Sequence, residues 1–157
     1  MIKFNNKILP FNNSVETGLR LLTILNQFFP ETLEVTKVLY FDYIIVHSGD
    51  IDEKVPSLHP SFPYQRGELL VRKPIIQDGL SLLASRGLIE IVYSSEGIQY
   101  TASEYSMPFI ESLSSPYAQE LIIRAKWMYE KYNRYSTNEL HIMLDEFNHT
   151  FNLEILD

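Results

Sequence analysis

The chain predicts a mainly α fold of the α+β kind, with a winged-helix-like domain, a two-stranded wing and additional C-terminal helices. Three observations carry this. Apolar residues recur at helical spacing through most of the 157 residues. The clearest alternating stretch, residues 88–100, is split by a glycine-containing turn. A helix, a turn and a second helix lead directly into that hairpin. The length suits one domain, which divides into an N-terminal arm (1–13), the winged-helix-like core (14–101) and C-terminal helices (102–157).

Residues 1–13 read as an irregular or strand-like arm, with Phe4, Ile8, Leu9 and Phe11 available for docking. Ser14 is a good N-cap, and Val15, Leu19, Leu22, Leu25 and Phe28 form the stripe of a first helix that ends before Pro30. Glu31 and Glu34 suit the positive end of a second helix, whose Val35, Val38, Leu39, Ile45 and Val46 make it apolar nearly all round, as a central core helix would be. Gly49 is expected to end it in the left-handed conformation, with His47 in the last turn. Asp42, an anion inside that helix, is expected to pair with an arginine or lie at the surface.

A long loop, residues 50–67, carries prolines at 56, 60 and 63 and so is expected to be extended and stiff. A short helix, Glu68 to Arg72, then breaks at Lys73-Pro74 before an amphipathic helix from Ile75 to Ser85, which buries Ile76, Leu80 and Leu83 and ends at Gly87. Strands at 88–93 and 98–100 follow, then a helical region from Ala102 to Leu113. Ser115-Pro116 opens the clearest helix, with Ala118, Leu121, Ile122, Ala125, Met128 and Tyr132 on one stripe and Glu120 with Arg124 as an exposed pair. Its aromatics, Trp127, Tyr129, Tyr132 and the following Tyr135, are too many for one narrow stripe, so part of that area should face a partner or the arm. Ser136 and Glu139 form a capping box for a last helix to about Phe147.

Composition narrows the function. The 45% hydrophobic content excludes a disordered chain, and no apolar run reaches the roughly 20 residues that span a bilayer. The absence of cysteine removes thiol nucleophiles, disulfides and Cys-ligated zinc. The N-terminus lacks an apolar signal region, so a cytoplasmic location is expected. His47, Asp50, Asp52 and His59 are the one cluster resembling metal ligands, but their spacing matches no compact motif. Ser48 beside His47 and Ser57 near His59 do not make a nucleophile elbow, and neither a phosphate loop nor a dinucleotide fingerprint occurs. The chain therefore reads as a recognition protein with no catalytic residue, metal or cofactor of its own.

DNA is the obvious partner for a winged helix, yet the net charge is -7, against the basic face that phosphate contacts need. Arg66, Arg72, Lys73 and Arg86 are the candidate phosphate contacts. The outward positions of the recognition helix, Gln77, Asp78, Ser81 and Ser85, and the wing tip Ser94-Ser95-Glu96 are poorly equipped. An autonomous winged-helix transcription regulator is thus the alternative reading, and protein docking the leading one.

Taken together, Phe41-Asp-Tyr-Ile-Ile-Val-His-Ser-Gly-Asp50, Ser57-Leu-His-Pro60, Arg66-Gly-Glu-Leu-Leu-Val-Arg72 and Ser85-Arg-Gly-Leu88 resemble the middle component of ABC three-component systems, the group that includes Lamassu-type antiphage defence. The likeness continues through Ser112-Leu-Ser-Ser-Pro-Tyr117 and the helix with Arg124, Ala125 and Trp127. It implies a non-catalytic adaptor that joins an SMC-like or ABC-type ATPase to an effector, commonly a nuclease, in a bacterial immune complex, with DNA sensed through that complex. His47, Asp50, His59, Arg66 and Arg72 are then the partner-docking residues. Two readings of them stay open: they organise a surface, or they fix the loop by local hydrogen bonds.

Overall fold

A computed structural model describes residues 14–59 and 65–156, with side chains at 14–59 and 67–147. The expected arm at 1–13 and the loop prolines 60 and 63 lie outside the described residues. The elements run α1 (Ser14–Phe28), β1 (Leu33–Glu34), α2 (Val35–Val46), α3 (Ser48–Ile51), α4 (Gln65–Ser85), β2 (Ile89–Ser94), β3 (Gly97–Ala102), α5 (Ser106–Glu111), α6 (Pro116–Tyr132) and α7 (Thr137–Leu156). Helices dominate, and one small antiparallel sheet of order β1-β3-β2 makes the fold α+β.

Helix α2 sits at the centre, touching α1, α4, α6 and α7. Its Val38, Phe41, Ile44 and Ile45 meet Leu21, Leu25 and Phe28 of α1, Ile76 and Leu80 of α4, Leu121 and Met128 of α6, and Leu140 and Leu144 of α7 in one core. Phe28 stacks on Phe41 and meets Tyr129 edge-on, with ring centroids 5.0 and 4.9 Å apart. Val15, expected on the buried stripe of α1, is exposed because that face turns toward Leu21, Ile24 and Leu25.

Local signals set most helix ends. The Ser115 hydroxyl accepts from the Ala118 amide at 3.1 Å with Pro116 at the first helical position. Ser136 and Glu139 bond reciprocally at 3.1 and 3.4 Å. Gly87 ends the run of α4 with a φ of 73°, which a side chain would strain.

Several expectations are corrected. Glu34 stands at the N-cap of α2 as expected, but it also pairs with Gln99, and Leu33 with Tyr100, as a short strand that delays the helix to Val35. Residues 65–85 form one helix rather than two. Pro74 removes the amide that would donate to the Leu70 carbonyl, but both residues face solvent, where water replaces the bond. Gly49 is not a left-handed cap: it lies inside α3, where a Cβ would come within 2.8 Å of the Ser57 hydroxyl. Ala102 belongs to β3, opposite Ile89, and helix α5 waits until Ser106. Helix α7 runs past Phe147 to Leu156.

Candidate functional site

Under the described part of the loop, residues 52–59, lies a buried chain of charged and polar side chains drawn from α1, α2, α4 and α6. Its centre is Asp42, which is 0% exposed. Arg20 Nε donates to its Oδ1 at 2.8 Å, and Arg72 Nε donates to its Oδ2 at 3.3 Å, with Arg72 Nη2 3.0 Å from the same oxygen. Helical spacing makes this geometry: Asp42 is the one charged residue among the buried residues of α2, and arginine is long enough to meet it from either side. Burial alone pushes this carboxyl up, and the Arg20 and Arg72 guanidiniums override that and hold it below the usual carboxylate range.

The chain extends both ways. Arg72 Nη1 and His47 Nε2 share Glu68 Oε1 at 3.1 and 2.8 Å, which fixes the imidazole proton on Nε2. His47 Nδ1 is buried with no hydrogen-bond partner, its nearest anion being Asp50 Oδ2 at 4.0 Å. On the other side Tyr117 hydrogen-bonds Arg20 and Glu16 and lies 3.5 Å from His59 Nε2. The rings of His47 and His59 meet edge-on, 6.4 Å between centroids. Burial pushes the Tyr43 phenol up, aided by the nearby Glu68 and Asp50 anions.

The loop is fastened over this chain by its backbone. The amides of Leu58 and His59 both donate to the Val46 carbonyl at 3.0 Å. Ser48 Oγ donates to the Pro56 carbonyl at 3.0 Å, and the Gly49 amide to Ser57 Oγ at 2.8 Å. Arg124 is the residue that sequence reasoning misplaced. Expected in an exposed pair with Glu120, it is buried and donates from Nε and Nη2 to the Pro56 carbonyl at 2.8 and 2.6 Å, while Nη1 holds the Glu120 carboxylate. Further along, Asp52 accepts from the Lys54 amide at 2.9 Å and pairs with Lys131 of α6 at 3.5 Å.

The expected docking residues thus separate. His47, His59 and Arg72 are beneath the surface, and only Asp50 reaches it. The Arg66 side chain lies outside the described residues. Arg72, 5% exposed and committed to Asp42 and Glu68, is also removed from the phosphate-contact set. Lys73 and Arg86 are exposed but separated by roughly 140° around the α4 axis, so they do not make one basic face. Gln77, Asp78, Ser81 and Ser85 are exposed as expected. Ser48 and Ser57 are engaged with loop backbone, not with a histidine. Among the described residues no three His, Asp or Glu side chains are placed to hold a metal ion. The late aromatics pack mostly on one another: Tyr132 is buried between Trp127 and Tyr135, with centroids 6.0 and 5.1 Å away. No described helix is long and apolar enough to cross a membrane.

The buried charges make one solution property predictable. Burial lowers the His59 pKa to about 3, with the Arg20 and Arg72 cations adding to the effect and Asp42 opposing it. Between about pH 6.5 and 3 the unfolded chain therefore binds a proton at His59 that the folded one does not, so stability falls as pH drops through that window. The loss is about 1.4 kcal/mol per pH unit once below 6.5. Urea unfolding at pH 7, 6 and 5 should show this slope in the parent and a shallower one in His59→Gln. Glu16, whose carboxyl burial pushes up, titrates with the opposite sign nearer its own range.

In comparisons with known proteins, residues 10–154 match the family model described as ABC-three component (ABC-3C) system Middle Component 2. No curated protein and no solved structure matches the chain.

Proposed function

The chain belongs to the ABC-three component system Middle Component 2 family, and from that premise we propose that it is a non-catalytic adaptor. It bridges an SMC-like or ABC-type ATPase and an effector, commonly a nuclease, in a Lamassu-type bacterial antiphage complex. The observation that carries this reading is the commitment of the loop's polar groups to the buried chain beneath it: Arg124 and Ser48 hold Pro56, and Val46 holds Leu58 and His59. Side chains spent on fixing a backbone make a preformed surface, which lowers the ordering cost of association. His47, His59 and Arg72 act here as positioning residues, while Asp50, at the surface, and Arg66 are the docking residues. Co-expression with the components encoded beside it tests the proposal. A stable complex with both an ATPase and an effector is expected, and a chain that purifies alone from both sinks it.

The order helix, strand, helix, helix, strand, strand in α1, β1, α2, α4, β2 and β3, with β1 beside β3, supports reading residues 14–101 as winged-helix-like. The same order favours an autonomous DNA-binding regulator as the second reading. That reading requires retardation of its own promoter DNA at low salt, weakened by Lys73→Ala or Arg86→Ala. Unretarded DNA removes it.

A further inference from the structure

The hairpin carries an apolar face beyond the body of the protein. Its register is continuous from Ile89 opposite Ala102 to Ser94 opposite Gly97. Alternation places Ile89 and Ala102, Ile91 and Tyr100, and Tyr93 and Ile98 on one face. The first pair is buried in the core, whereas Tyr93 is 75% and Ile98 52% exposed at the tip. Strand β2 is also the outer edge of the sheet, so every second residue turns its N–H and C=O away from β3. Proteins ordinarily guard such an edge with lysine, proline or a very short strand. This one has six residues, Ile89-Glu-Ile-Val-Tyr-Ser94, with no lysine or proline and Glu90 as its one charge.

Along the stretch that carries the hairpin the charge is of one sign. From Gly87 to Ile123 the chain contains Glu90, Glu96, Glu104, Glu111 and Glu120 and no lysine, arginine or histidine. Glu120 is paired with Arg124, but the other four are exposed and form no ion pair with a described residue. Exposed Tyr105, Met107 and Phe109 of the adjoining α5 region lie in the same stretch. An acidic rim repels nucleic acid. A second copy is disfavoured as well, because it carries the same acidic residues and no basic ones along this stretch.

On the adaptor reading above, we propose that the wing is a strand-addition site: β2 accepts an extended, Lys- or Arg-bearing apolar segment of another component of the system as the next strand. Main-chain bonds along β2 supply the pairing, Ile91 and Tyr93 give the added strand its apolar contact, and the glutamates select a basic one.

The test compares hydrogen exchange in the isolated protein and in its complex with the co-expressed neighbouring components. Slowed exchange at the β2 amides on assembly is expected. Tyr93→Glu should weaken association by about thirtyfold with little shift in the melting temperature, because this tip side chain lies outside the core. Glu90→Lys with Glu96→Lys should weaken it too, more strongly at low salt. A complex that assembles with β2 exchange unchanged, or ignores Tyr93→Glu, overturns this site while leaving the adaptor reading intact. Failure to form any complex overturns both. Slow β2 exchange in the isolated protein that is lost on removing residues 1–13, which carry Lys3 and Lys7, would give the edge to the chain's own arm and also overturn the proposal, as would a homodimer abolished by Tyr93→Glu.

Discussion

Asp42→Asn should lower the unfolding free energy by about 3–5 kcal/mol, the usual cost of removing one partner from a buried ion pair. The reason is what remains: two guanidiniums held out of water, Arg20 beside Thr17, Tyr117 and the Glu16 carboxylate and Arg72 beside Glu68. Against a typical total of about 5–15 kcal/mol this is a large share. Urea unfolding at pH 7 gives the number directly. A companion variant separates lost charge from lost packing. Replacing Arg20 and Arg72 with Met and Asp42 with Leu removes the central three charges together, leaves Glu68 bonded to His47, and should be more stable than Asp42→Asn despite changing three residues. If the triple variant is the less stable, the charge account is wrong.

Arg124→Met should cost about 1.5–3 kcal/mol, the contribution of hydrogen bonds from a charged donor, and the loss should be concentrated in one place. Methionine keeps much of the buried stem but returns nothing to the Pro56 carbonyl, which then retains only Ser48. Hydrogen exchange should quicken at least tenfold at Leu58 and His59, whose amides depend on the loop lying against Val46. Exchange in the core of α2 should change no more than the global loss requires. A uniform change across both segments would mean that Arg124 supports the whole fold and not the loop. If the loop is a docking surface, the same variant should also weaken co-purification.

What the sequence disclosed and what it hid divide by distance along the chain. The Ser136–Glu139 box, the Ser115–Pro116 start and the Gly87 stop are local devices, complete within four residues, and each sits where its residue types demand. Strand β1 has only two residues, and nothing near Leu33 announces that its partner is Tyr100. Pro74 is a breaker in isolation, but the helix continues through it because the orphaned carbonyl faces water and Ile76 and Leu80 anchor the far side. The site suffered most. Arg72 looked like an exposed cation until Asp42, thirty positions earlier, claimed it, and Arg124 looked like half of an ordinary surface pair until Pro56 was folded against it. The signal available was modest: an aspartate in the middle of an otherwise apolar helix must find cations, and Arg20 and Arg72 flank it in the sequence.

The unbroken α4 ties two distant regions mechanically. Its 21 residues span about 30 Å. Glu68 and Arg72 root one end in the buried charges, and Gly87 passes the other end into the hairpin. One element therefore sets the position of both the buried charges and the hairpin, and the backbone bond missing at Pro74 falls a little short of halfway between its ends.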